Sequence, residues 1–247
     1  MRVAALYDIH GNLPALEAVL QEVAGLGVDA VVCGGDVFPG PMGCECLHAL
    51  QALDIPVHFV MGNGDREVLA ARGGAVSERI PPAFRDVMSW CAEQLSNDDA
   101  TTMAAWPMSV PFDVTGTAQV LFCHATPRDD TTIFTRLTPD ASLSPWVNDA
   151  APATLIVCGH THMQFDRTVR DVRIVNAGSV GMPFGVPRAY WLLLDGVVRL
   201  RQTEYDLASA AGRVRATAYP QAATFADENI LQPPTEAAML TALSPRT

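Results

Sequence analysis

The sequence predicts an α/β fold in which a parallel-centred sheet ends in antiparallel strands. Three observations point there. Apolar, strand-length runs alternate with helix-period segments in the early part of the chain. Later, strand patterns follow one another without helices between them. Asp195-Gly196 then sits between two such patterns, where a two-residue hairpin belongs.

Taken in order, strand signals fall at residues 3–7, 30–33, 57–61, 119–123, 154–158, 172–175, 189–194 and 197–204. Residues 14–26 carry Leu16, Val19, Leu20 and Val23 at helical spacing, and 41–53 and 82–95 read the same way. The stretch VHFVMGNGDREVL at 57–69 is different. Its Asn63-Gly64 is the strongest short hairpin signal, yet residues 66–72 are good helix formers without strand alternation. The turn therefore joins a strand to a helix, and an Asn-Gly turn commonly puts its glycine at positive φ. No linker or internal repeat divides the chain. The proline-broken segment from Ala218 on reads as a C-terminal extension (218–247), packed on the main domain (1–217) or on a partner subunit of a homo-oligomer.

Composition removes several classes. At 247 residues, 49% hydrophobic and 17% charged, the chain is a core-forming globular protein. No run of 18 apolar residues suggests a membrane span, and Asp8 interrupts the N-terminus too early for a signal peptide; a cytoplasmic location is expected. All 16 basic residues are arginine, which excludes Schiff-base and phosphate-loop lysine chemistry. A net charge of −11 argues against a nucleic-acid partner, and an anionic substrate would need positive charge supplied at the site. Of the six cysteines, Cys33, Cys123 and Cys158 lie in apolar runs as small buried hydrophobes, and Cys44-x-Cys46 lacks the second pair of a zinc site.

The chemistry concentrates at the ends of five predicted strands. Asp8 and His10, Asp36, Asn63, His124, and His160 with His162 each follow an apolar run. Residues two apart on an extended strand face the same side, so Asp8 and His10 can share a metal, as can His160 and His162. Ligands of an open α/β sheet gather outside the carboxyl ends of its strands. Singly, the aspartates read as helix caps and a histidine as structural. Four of only six histidines at strand ends do not. The remaining two, His48 and His58, read as structural.

These motifs resemble the calcineurin-like metallophosphoesterase superfamily, in particular its small bacterial phosphodiesterase branch. The matching residues are Asp8-Ile9-His10, Gly35-Asp36, Gly62-Asn63-Gly64-Asp65, His124 and Gly159-His160-Thr161-His162, with NAGSVGMPFG at 176–185. The resemblance implies an α/β sandwich of two β-sheets flanked by helices, with metals at the sheet edges. It implies one metal on Asp8, His10, Asp36 and His162, and a second on Asp36, Asn63, His124 and His160, with Asp36 bridging. Asp36, Asn63 and Asp65 belong to the catalytic group in this resemblance.

Imidazole and oxygen donors without thiolate suit Mn, Fe, Zn, Co or Ni rather than calcium. Two divalent ions against two carboxylates and a bridging hydroxide leave about one positive charge, enough to attract a phosphoester and supply a nucleophile for in-line attack. Arg66, Arg128 and Asn12 are candidate phosphate contacts. Gly64 departs from the family pattern, which has a histidine there to assist the leaving oxygen. The expectation is a dinuclear-metal hydrolase of a small phosphodiester or phosphomonoester. The alternative is a catalytically weak metal-binding scaffold for protein interaction, as in the small subunit of the retromer coat.

Overall fold

The computed structural model describes residues 1–114 and 119–244. The first part of the chain runs β1 (Val3–Leu6), α1 (Leu13–Leu26), β2 (Ala30–Cys33), α2 (Gly43–Gln51), β3 (Val57–Phe59) and α3 (Asn63–Arg72), followed by α4 (Pro82–Gln94) and α5 (Asn97–Ala104). Next come β4 (Ser109–Phe112), β5 (Val120–Cys123), α6 (Asp140–Val147), β6 (Leu155–Cys158), β7 (Phe165–Val169) and β8 (Val172–Asn176). The chain then returns through β9 (Ala189–Leu194) and β10 (Val198–Thr203) to α7 (Leu207–Arg215), α8 (Ala222–Phe225), a π-helical stretch (Ala226–Leu231) and α9 (Glu236–Ala242).

Two mixed five-stranded sheets result, ordered β10-β9-β1-β2-β3 and β4-β5-β6-β8-β7. β1, β2 and β3 are parallel, and the β9–β10 hairpin adds antiparallel to the β1 edge. In the second sheet β5, β6 and β8 are parallel, with β4 and β7 antiparallel at the edges.

Strand alternation builds the layers. Val3, Ala5 and Tyr7 face the second sheet and meet Val120, Phe122, Val157 and Val175 in an inter-sheet core. Ala4 and Leu6 face the other way, into a larger core under the helices with Leu16, Leu47, Val68 and Met88. A third cluster seals the outer face of the second sheet with Leu143 and Trp146 of α6. The order is helices, sheet, sheet, helix, and the carboxyl ends of β1, β2, β5 and β6 open at one edge of the sandwich.

Two strands escaped the sequence reading, and both are edges. β4 contains Pro111, which an edge strand tolerates because it lacks one ladder partner. β7 alternates buried and exposed positions over only five residues. Asn63 and Gly64 are the first residues of α3 rather than a turn before it. The C-terminal segment buries Tyr219, Phe225, Ala226 and Ile230 in the same core as α1 and β1, while residues 245–247 at its end lie outside the described residues. Among the described residues, no helix is long and apolar enough to cross a membrane.

Candidate metal centre

The ligand-bearing loops leave their strands by left-handed turns. Among the described residues six non-glycine positions have positive φ, and five of them are Asp8, His10, Asp36, His160 and His162. β1 ends at Leu6 and β6 at Cys158, so neither Asp-x-His nor His-x-His is extended strand. Asp8 and His10 meet His162 through αL backbone and not through the pleat, while His160 turns toward Asn63 and His124 instead of sharing a group with His162, which corrects the spacing argument made from sequence. Non-glycine residues rarely adopt αL unless the surroundings enforce it. Here they do. The Asp8 amide donates to Gly35 O at 3.1 Å and the His10 amide to Asp36 O at 2.9 Å, joining the loops after β1 and β2, and the Gly159 amide donates to His124 O at 2.9 Å, joining those after β6 and β5.

The side chains converge on two overlapping groups. Asp8, His10 and His162 form one, and Asp8, Asp36 and His124 the other. His162 Nε2 lies 3.5 Å from Asp8 Oδ1 and 3.3 Å from His10 Nε2, which is itself 3.7 Å from Asp36 Oδ2. His124 Nε2 stands 3.5 Å from Asp36 Oδ2 and 3.9 Å from Asp8 Oδ1. Asp8 is fully buried, and its Oδ1 has no hydrogen-bond partner although Oδ2 accepts from the His160 amide at 2.9 Å. A buried, unpartnered carboxylate oxygen is costly, and a cation among these imidazoles would satisfy it. Burial alone would raise Asp8, but His162, His124 and His10 hold it down at about 2. Burial lowers His10 and His160, whereas Asp36 and Asp8 overcome burial and raise His124 and His162.

Each of these histidines is oriented by a backbone carbonyl on its other nitrogen. Nδ1 of His10 faces Pro39 O (3.2 Å), that of His124 faces Gly34 O (2.9 Å), and that of His162 faces Met182 O (2.7 Å). A proton held there leaves Nε2 as the free lone pair, the arrangement metal-ligating histidines use. His160 is reversed: Nε2 faces Thr131 O at 3.2 Å, and Nδ1 faces Asn63. All four lone pairs therefore point inward.

One end of the Asn63 amide is 2.9 Å from His160 Nδ1, 3.1 Å from His124 Nε2 and 3.1 Å from the Asp130 carbonyl. Hydrogen bonding alone would put the amide nitrogen there, whereas a bound cation would favour the oxygen. Asn63 thus fits the donor set together with Asp36, His124 and His160. The mixed nitrogen and oxygen set excludes thiolate, since burial raises Cys158 and its thiol donates instead to Val175 O.

Gly64 is not a positive-φ glycine. Its constraint is closeness: an added Cβ would lie 2.3 Å from Phe38 O, 2.8 Å from Pro39 Cδ and 3.1 Å from Asp36 Oδ1. Its amide donates to Asp36 Oδ1 at 2.7 Å. Asp65 is fully buried and turned away from the donor cluster. It accepts from the amides of Asp36 (2.7 Å), Phe38 (2.9 Å) and Gly62 (3.3 Å), pinning the loop that carries Asp36. Burial and the Asp36 carboxylate push it up to about 8, against those amides. Its place is that of a positioning residue.

The three candidate phosphate contacts are engaged elsewhere. Asn12 caps α1 by accepting from the Ala15 amide, and its nitrogen donates to Gly181 O and Tyr205 Oη. Arg66 makes a two-pronged pair with Asp130 and reaches Glu67, so it braces the backbone beside Asn63. Arg128 is exposed and pairs with Asp149 and Pro145 O. Two residues of the 176–185 stretch support the site, though their side-chain types alone assign them no role in sequence. Buried Asn176 donates to Gly159 O at 2.6 Å, and Ser179 Oγ to Asp8 O at 2.7 Å. Outside the site, His48 pairs with Asp99 and His58 packs edge-on against Phe112.

Comparison with known proteins agrees with this geometry. The model of the calcineurin-like phosphoesterase superfamily domain matches residues 1–196. An uncharacterised protein of Methanocaldococcus jannaschii is 26% identical over 240 residues, covering 89% of this chain and 94% of its own. A crystal structure of a metallophosphoesterase from Sphaerobacter thermophilus superposes with a TM-score of 0.70 at 25% identity, over 93% of this chain and 100% of that one. A hypothetical protein of Pyrococcus horikoshii OT3 shares the fold with a TM-score of 0.79 at 19% identity, over 95% and 99%. With the family model spanning most of the sequence and two sheets flanked by helices bearing its motifs, the chain belongs to the calcineurin-like phosphoesterase superfamily and is a metal-dependent phosphoesterase.

Proposed function

We propose that Asp8, His10, Asp36, Asn63, His124, His160 and His162 hold two divalent transition-metal ions, and that the chain hydrolyses a small phosphodiester or phosphomonoester there. The observation that carries this is the unpartnered Oδ1 of fully buried Asp8, set beside inward-facing imidazole nitrogens. Asp36 approaches both His10 and His124, and Asp8 both His162 and His124; the family resemblance assigns the bridging role to Asp36. Metal ions bound here supply Lewis acidity toward the phosphoryl oxygens and lower the pKa of water.

The chain's own residues do the rest. Histidine second nitrogens, fixed by carbonyls, keep the donors preorganised, and Asp65 with Gly64 holds the Asp36 carboxylate in register. Water adds to phosphorus as the ester P–O bond breaks, and the alcohol leaves on the opposite side. Position 64 offers no proton, so the leaving oxygen takes one from solvent. That gap favours good leaving groups, and it is also what keeps a scaffold role as the second reading. The complete donor set favours the enzyme, because a scaffold has no use for it. A cytoplasmic location fits the six free thiols.

The test is elemental analysis of protein made with Mn²⁺ or Zn²⁺ available, together with hydrolysis of a phosphoester panel. Near two ions per chain are expected, with Asp36→Asn depleting both and His10→Ala mainly one. Metal-free protein under these conditions would refute the assignment.

A further inference from the structure

A cavity of about 250 Å³ adjoins the metal centre at His10. Its near wall is formed by Pro39 and Met182, whose carbonyls orient His10 and His162, so whatever fills the cavity lies one residue from the ligands. Phe84 of α4 forms one side, and Tyr219 and Phe225 of the C-terminal segment form the other. Phe84 is 47% exposed, a large apolar ring left uncovered at the mouth.

The far wall includes Glu228 and Asn229 of the π-helical stretch, a geometry concentrated at functional sites. Among the described residues neither side chain has a hydrogen-bond partner. The family model's match ends at residue 196, so this wall lies outside the matched span.

Resting on the phosphoesterase reading above, we propose that this cavity is the subsite for an uncharged aromatic group esterified to the substrate phosphate. Aromatic walls favour a flat ring by stacking and edge contact. Glu228 in the lining, in a protein of net charge −11, disfavours a second anionic group. The C-terminal segment then determines which esters this member of the superfamily accepts.

The test measures binding, by calorimetry on metal-loaded protein, of phenylphosphonate against methylphosphonate. Phenylphosphonate is expected to bind about tenfold more tightly. Phe84→Ala, at an exposed position, should cut that preference severalfold and leave methylphosphonate unchanged; Thr224→Trp, which plugs the cavity from an exposed site, should do the same. Equal affinity for the two phosphonates, or a preference unchanged in Phe84→Ala, overturns the subsite while metal-dependent methylphosphonate binding leaves the phosphoesterase reading intact. Protein that takes up no metal and binds neither phosphonate overturns both.

Discussion

Replacing Gly64 with alanine pits two effects of known size against each other. Alanine inside a helix normally gains about 0.5–1 kcal/mol over glycine. At Gly64 the new Cβ would stand 2.3 Å from Phe38 O, against about 3.3 Å for an ordinary C···O approach. The obstruction is backbone, and that backbone is fixed by the Asp65 carboxylate, so it cannot swing aside as a side chain would. Overpacking of this kind costs about 1–3 kcal/mol. With the backbone held fixed the cost falls at the upper end, about 2–3 kcal/mol, so the net expectation is a loss of about 1–2 kcal/mol, a fall in Tm of about 2–8 °C for a chain of this size.

Gly25→Ala is the internal control. It lies in α1 with nothing within 4 Å of the added methyl, and should raise Tm by about 1–4 °C. Because Asp36 Oδ1 is also within 3.1 Å of the new atom, Gly64→Ala should lower metal content as well. Differential scanning calorimetry and elemental analysis read both effects. A Gly64→Ala protein that melts at or above the native temperature with full metal content would refute the steric argument. The same clash means that Gly64→His should disturb the centre instead of restoring a proton donor.

Two further substitutions test the engaged polar groups. Asn12→Ala removes a cap and orphans the acceptors at Gly181 and Tyr205, so stability should fall by about 2–4 kcal/mol in denaturant titration, with KM for any hydrolysed ester unchanged. A raised KM at unaltered stability would make Asn12 a phosphate contact after all. Asp129 organises the loop after His124. Burial would raise its pKa, but hydrogen bonds from the Thr132 hydroxyl, the Thr131 and Thr132 amides and Thr126 outweigh burial and lower it. Its folded value lies below its unfolded one, so its stabilisation is present above the ordinary carboxylate range and is lost as pH falls through the folded value. Asp129→Ala should therefore cost about 1–2 kcal/mol at neutral pH, with the gap to native protein closing below about pH 4 in thermal melts. A gap independent of pH would show that the charge contributes nothing.

The residues that the structure gathers were legible in the sequence because each is a polar side chain ending an apolar run, and four of only six histidines do so. How they meet was not legible. Period-two reasoning assumed extended chain, whereas Asp8, His10, His160 and His162 turn left-handed under tertiary hydrogen bonds that no local pattern encodes. What Asp65 and Arg66 bind was not legible for a related reason: their partners, the Phe38 amide and the Asp130 carboxylate, lie far along the chain. α5 did carry a readable signal, since Ser96 and Asp99 form a reciprocal cap, but its short apolar pattern hid it. α6 was obscured by Pro145 within it.

The left-handed backbone also changes how mutagenesis of this centre must be designed. An L-residue at αL carries a conformational penalty of roughly 1–2 kcal/mol, relieved by glycine and tolerated by asparagine. An alanine scan across Asp8, His10, Asp36, His160 and His162 deletes a donor while leaving that penalty in place, so lost metal and lost foldedness arrive together. Glycine at the histidines and asparagine at the aspartates separate them: the donor is removed or neutralised while the turn becomes easier to form. Apo-protein carrying His162→Gly should melt higher than apo-protein carrying His162→Ala, since both lose the same ring contacts, and the difference would give, in degrees, the strain that this backbone holds.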